Sequence, residues 1–124
     1  MKKYGLGVDG ETLAAAYLES LGYRLLERNF TSRFGEIDIV AVSPDGRYLC
    51  FTEVKTRKSE KNIASGLESV SAEKQRKIVK TAEYFLVKNR RLVESKGLQP
   101  RFDCIEVNVD DKVDFKFVEN AFDA

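Results

Sequence analysis

Gly35-Glu36-Ile37-Asp38-Ile39-Val40-Ala41-Val42-Ser43-Pro44-Asp45-Gly46-Arg47-Tyr48-Leu49-Cys50-Phe51-Thr52-Glu53-Val54-Lys55-Thr56 is the stretch that decides how this chain folds. Two alternating runs, Phe34 to Val42 and Arg47 to Thr56, flank a Ser43-Pro44-Asp45-Gly46 turn signal and read as the two strands of a hairpin. In the first, Ile37, Ile39 and Ala41 alternate with Glu36, Asp38 and Val40; in the second, Phe51, Glu53 and Lys55 point one way and Cys50, Thr52 and Val54 the other. A two-residue Asp45-Gly46 loop sets Pro44 opposite Arg47, which places Asp38 across from Glu53 and Glu36 across from Lys55, all on one face. The reading needs an even-numbered loop, because one residue more or less would carry Asp38 to the other face.

Working outward, Asp9 to Leu21 reads as an alanine-rich helix capped by Asp9 and followed by Gly22. Tyr23 to Phe30 reads as a strand before the hairpin. After the hairpin, Arg57 to Glu68 has mixed charge and no period and reads as a loop. Ser71 to Arg90 then predicts a helix with Ile78, Val79, Ala82, Phe85 and Leu86 on an apolar stripe, joined by Gln75, and Arg76, Lys77 and Lys80 on a basic face. A polar connection ends at Pro100, and Phe102 to Val109 and Val113 to Val118 read as two more strands. The order implies an α/β fold, a mixed sheet of about five strands with flanking helices, and the 124 residues suit one domain spanning 1–124.

Composition narrows the chemistry. With no histidine and only two cysteines, Cys50 and Cys104, both inside apolar runs, the commonest general base is missing and a structural zinc site is disfavoured. Carboxylates, lysine and a hard cation remain. Net charge is only +1, but Lys55 to Arg91 holds 11 Lys and Arg against 4 Glu, while Asp103 to Ala124 holds 7 acids against 2 Lys. One half is suited to phosphates and the other is not. No apolar run is long enough to cross a bilayer and no signal-like stretch follows Met1, so a cytoplasmic location without membrane contact is the default expectation.

Glu53-x-Lys55 on its own is an ordinary solvated strand pattern. Opposed carboxylates repel, however, and Asp38 against Glu53 calls for a cation between them. Carboxylate and carbonyl oxygens suit magnesium or manganese, which would stabilise charge on a phosphate and acidify water, with Lys55 placed to orient or deprotonate that water. A buried ion-pair network that merely ties the hairpin together is the competing reading.

Gly10-Glu11 opening the first helix, Arg28-Asn29-Phe30, Gly35 to Val40, Phe51 to Arg57, Lys74-Gln75, Arg101-Phe102-Asp103 and Asn120-Ala121-Phe122 together resemble the YraN-like bacterial family of the restriction-endonuclease-like, PD-(D/E)xK, superfamily, with Holliday-junction resolvases as relatives. Thr52 departs from the β-branched aliphatic more usual at its position. The resemblance implies a metal-dependent nuclease with Asp38, Glu53, Lys55, Glu11 and Gln75 at its centre, the metal held by Asp38, Glu53 and the main chain of Val54. Glu11 alternatively serves only its helix N-terminus, and Glu36 only pairs with Lys55. Arg28, Arg57, Lys58, Lys61 and Lys74 are the phosphate-contact candidates. The implied partner is nucleic acid, DNA before RNA, with a homodimer left open. The alternative functions are a catalytically inactive nucleic-acid-binding module and a small structural protein with a rigid polar network.

Overall fold

A computed structural model describes residues 9–57 and 70–124. Helix α1 (Gly10–Ser20) leads into strands β1 (Arg24–Ser32), β2 (Gly35–Val42) and β3 (Tyr48–Arg57); helices α2 (Ala72–Lys88) and α3 (Arg90–Lys96) precede β4 (Gln99–Val109) and β5 (Val113–Phe122). The five strands form one sheet in chain order, antiparallel except for the parallel pair β3 and β4. A parallel neighbour needs a crossover, and α2 and α3 lie within it. The α/β class and the mixed five-stranded sheet agree with expectation.

The two sheet faces bury separate clusters. Phe30, Ile37, Val40, Leu49, Phe51 and Phe102 meet Ile78, Ala82 and Phe85 of α2. On the opposite face Ala14, Ala15 and Leu18 of α1 meet Ile39, Ala41, Cys50, Ile105 and Val107. Both cysteines are buried thiols. Tyr17 stacks on Phe115 with ring centroids 4.2 Å apart, so β5 closes this second core.

Several expectations need correction. Ile37 does not share a face with Ile39 and Ala41: it joins the α2-side cluster while they join the α1-side one. The cause lies across the ladder, where Asn29 takes a positive φ of 54° and the Asn29–Asp38 pair drops out between Arg28↔Ile39 and Phe30↔Ile37. Asparagine tolerates that left-handed conformation better than most side chains. The hairpin loop has four residues, since Ser43 and Tyr48 are bonded partners and Gly46 N–H closes a turn onto Ser43. Four is still even, so the pairings Ile39↔Thr52 to Val42↔Leu49 keep the predicted register.

Helix α3 was expected as connection; its residues bury nothing fully, so the sequence carries no strong stripe there. Pro100 lies inside β4, not before it. It is tolerated because β5 first pairs at Phe102, so β5 does not call on the absent N–H.

Arg101 and Asp103 form a second charged cluster on β4, in register with Cys50 and Thr52 of β3. Asp103 is fully buried, receives two charged bonds of 2.9 Å from Arg101 and accepts the Asn120 N–H, while Arg101 also donates to Tyr23 Oη at 2.7 Å. Arg101→Met should therefore lower unfolding stability in urea by about 3–5 kcal/mol, because it leaves a buried carboxylate unpaired. Thr52 is the converse case, its hydroxyl buried without a hydrogen-bond partner. Thr52→Val keeps the shape and removes the orphan, and the same titration should show a gain of about 1 kcal/mol.

Candidate functional site

The β2 and β3 strands are hydrogen-bonded only from Val42↔Leu49 to Ile39↔Thr52, and beyond that pair they part. Asp38 lies at the fork. Its Oδ2 accepts the Val54 N–H at 2.7 Å, so a side chain takes the place a facing main-chain carbonyl would have held. Glu53 follows Thr52 on the partner strand and is 6% exposed. A cleft of about 560 Å³ opens here, lined by Glu11, Asn29, Gly35, Glu36, Asp38, Glu53 and, from the α2 side, Ser71, Glu73, Lys74, Lys77 and Ile78.

Glu11 reaches the cleft because α1 starts against β3. A side chain on Gly10 would collide with Thr56, so only glycine allows the first turn to sit so close. Asp9 caps the helix by accepting the Glu11 N–H at 3.0 Å. Arg28 then donates to Glu11 Oε1 at 3.1 and 3.0 Å and to Asp9 at 3.4 Å, and the Asn29 amide donates to Glu11 at 2.9 Å. Arg28, expected as a phosphate contact, is thus engaged with acids and orients Glu11. Asn29 was missed, although it adjoins Arg28 in a motif the sequence singles out.

Two lysines attend Glu53. Lys55 Nζ lies 3.6 Å from Oε2, and Lys74 from the first turn of α2 pairs with the same oxygen. Lys74 was expected as a phosphate contact and instead sits against a carboxylate in this structure. Burial and then the charge of Glu53 raise the Asp38 pKa from 3.8 to about 7; the bond from Val54 opposes this, and Glu11 adds to it. Lys55 is held below the usual lysine value, first by burial and then by the Lys74 ammonium. Burial works most strongly against a charge on Lys74, but its bonds to Glu53 and Lys55 and the charges of Glu53 and Asp38 together raise its pKa.

The structure brings Asp38, Glu53, Lys55, Glu11 and Lys74 together. Gln75 is not among the cleft residues: its amide donates to the Val70 carbonyl at 3.0 Å, and it lines a separate hollow with Arg76, Val79 and Lys80. One residue along a helix is a turn of about 100°, enough to put Lys74 at the cleft and Gln75 beyond it. Glu36 borders the cleft but pairs with Thr31 across β1, and the expected Glu36–Lys55 pairing does not form because the ladder has already ended. Arg57 pairs with Glu106 at 3.2 Å. Lys58 and Lys61 lie outside the described residues.

Among the described residues no three acidic, histidine or cysteine side chains form a ready cage for a metal ion. Two crowded carboxylates with open space beside them match a cation that keeps several waters, as magnesium does, and not zinc. The raised Asp38 pKa carries a testable sign. A carboxyl that holds its proton more tightly when folded contributes stability that is full below pH 3.8 and is lost as pH rises through about 7. Asp38→Asn should therefore raise the metal-free melting temperature at pH 8 and flatten its decline between pH 5 and pH 8, read by thermal melts across that range.

No helix among the described residues is long and apolar enough to cross a membrane. Residues 10–107 match the family described as "Uncharacterised protein family UPF0102". The chain is 45% identical to a UPF0102 protein of Chlorobium chlorochromatii over 84% of its own length and 74% of the relative's. It is 39% identical to one from Caldicellulosiruptor saccharolyticus over 98% of its length and all of the relative's, and 44% identical to one from Lachnoclostridium phytofermentans over 100% and 98%. Among solved structures it is similar to Pyrococcus furiosus SfsA in complex with Ca2+, at 14% identity and a TM-score of 0.34, over 89% of this chain and 60% of that one. With a family match across most of its length and relatives near 40% identity throughout, this chain belongs to the UPF0102 family.

Proposed function

We propose that this protein is a magnesium-dependent phosphodiester hydrolase of the restriction-endonuclease type acting on nucleic acid, with structured DNA as the first substrate to try. The observation that carries the reading is the convergence of Asp38 and Glu53, with Lys55 beside them, where β2 and β3 part. Main-chain hydrogen bonding ends at that fork, and carboxylates of opposite strands fill the gap. Such crowding is unfavourable without a cation.

Asp38 and Glu53 would hold the ion. Val54 turns its N–H toward β2, and since N–H and C=O of one strand residue point to the same edge, its carbonyl joins them. When bound, magnesium supplies charge to the phosphate oxygens and acidifies water. Lys55, its charge disfavoured by burial, is placed to accept the proton of the attacking water as oxygen bonds to phosphorus and the P–O bond to the leaving nucleoside breaks. Lys77 on the opposite wall offers its charge to a neighbouring phosphate. Glu11, clamped by Arg28 and Asn29, completes the acidic side.

A binding module without turnover is the second reading, favoured by one fact: Glu53 already has two ammonium partners and so is not left uncompensated in the absence of metal. Incubation with labelled duplex, single-stranded and branched DNA and RNA, in magnesium, manganese or chelator, separates the two. The hydrolase reading expects cleavage with metal and none with chelator. Lys55→Met should lower the cleavage rate by about a hundredfold or more while leaving magnesium affinity equal or slightly tighter, because an ammonium gives no lone pair to a cation. Cleavage in chelator, or no cleavage of any substrate by protein that binds magnesium, would remove the proposal.

A further inference from the structure

Lys74 is the feature of the cleft that the reaction above leaves without a task. It projects from the first turn of α2, its side chain is 39% exposed, and its ammonium pairs with the same Glu53 oxygen that Lys55 approaches at 3.6 Å. The charge of Asp38 also acts on it. The ammonium therefore sits on one of the two carboxylates that would hold a metal and feels the charge of the other, and among the described residues the remaining lysine paired with Glu53 is Lys55.

A divalent cation and this ammonium cannot both sit on Glu53 Oε2 without strong repulsion. Lys55 and Lys74 differ in which of them can yield. Lys55 is fixed to β3 two residues from Glu53, in a strand bonded along its length to β4. Lys74 belongs to another element, stands at the solvent-facing mouth of the cleft, and has a four-carbon stem able to swing. The wall it would swing along already holds Lys77, whose ammonium lies 4.0 Å from Glu73 and not on the carboxylate pair.

We propose that Lys74 is an exchangeable counter-ion and substrate contact: it holds Glu53 in the metal-free protein, leaves it when magnesium binds, and turns to a phosphate of the nucleic-acid strand in the cleft. This rests on the hydrolase reading. It makes metal loading and phosphate binding cooperative, since the ion releases the positive charge that the phosphate then receives.

Removing Lys74 should be tolerated, because Glu53 retains Lys55 and the position is partly exposed. Thermal melts of Lys74→Met and of the more polar Lys74→Gln would establish that each is folded. Calorimetric titration with magnesium should then show both variants binding about tenfold tighter than wild type, and Lys77→Met, an equal loss of charge on the same wall, changing less than twofold. Binding to a hydrolysis-resistant phosphorothioate duplex, measured over a range of salt with magnesium and with chelator, should show magnesium adding about one ion to the wild-type salt slope. That increment should be missing in Lys74→Met. Lys74 variants that bind magnesium no tighter than wild type, or as much tighter as Lys77→Met, would overturn the inference and leave the hydrolase reading standing. A wild type that binds no magnesium would overturn both.

Discussion

Everything distinctive in this molecule depends on the hydrogen bond from the Val54 N–H to Asp38 Oδ2. An antiparallel pair normally continues until its strands end, each main-chain donor meeting a carbonyl opposite. Here β2 runs from Gly35 and β3 to Arg57, yet only four pairs join them. Beyond Ile39↔Thr52 a side chain satisfies the donor, and the separation needed to fit that side chain opens the sheet. The strained Asn29 lies beside the same point on β1, its amide directed to Glu11. A fork held in this way positions carboxylates more rigidly than a loop could, because both branches remain bonded to outer strands.

The electrostatics follow from the fork. Asp38 cannot move away from Glu53 without abandoning the Val54 N–H, and Glu53 is too buried to be relieved by solvent. The cleft therefore stores repulsion that cations must offset. Lys55 and Lys74 do so here, with opposite results: Glu53, Lys55 and Asp38 together raise the Lys74 pKa despite burial, whereas burial and then Lys74 hold that of Lys55 down. A lysine whose charge is disfavoured is suited to exchange protons, and one whose charge is favoured is suited to act as a counter-ion.

Much of this was legible in the sequence because strand alternation is a strict parity. Asp38, Glu53 and Lys55 come together whether the loop between β2 and β3 has two residues or four, so the error in loop length left their convergence intact. Where parity failed, a backbone irregularity intervened: the positive φ of Asn29 sends Ile37 to the face opposite Ile39, and no pattern of apolar residues announces it. Helical positions were less secure. Gln75 and Lys74 are neighbours in the chain, and the sequence placed Gln75 at the centre and Lys74 among the phosphate contacts, whereas Lys74 lines the cleft and Gln75 does not. Thr81, fully buried, was missed because its hydroxyl hides in bonds to the Lys77 carbonyl and Ser32, which a hydrophobic count does not register. Arg28 looked free to meet phosphate since its partners Asp9 and Glu11 lie far away in sequence.

The Arg101–Asp103 cluster provides the internal control for reading the cleft as functional. Each group contains a buried carboxylate, Asp103 in one and Glu53 in the other, and both involve motifs that the sequence marks. On β4, however, Asp103 is matched by the Arg101 guanidinium and a main-chain N–H, and Arg101 also donates to Tyr23 and lies 3.9 Å from Glu119. Such a network satisfies its own members and has little to offer a ligand. The cleft lacks this closure: Asp38 has one main-chain donor and is pushed to about pH 7, and Glu53 shares a single oxygen between two lysines. Burial of charge is common to both sites. What separates them is that the carboxylate of one is matched within its own network, while those of the other line an open cleft.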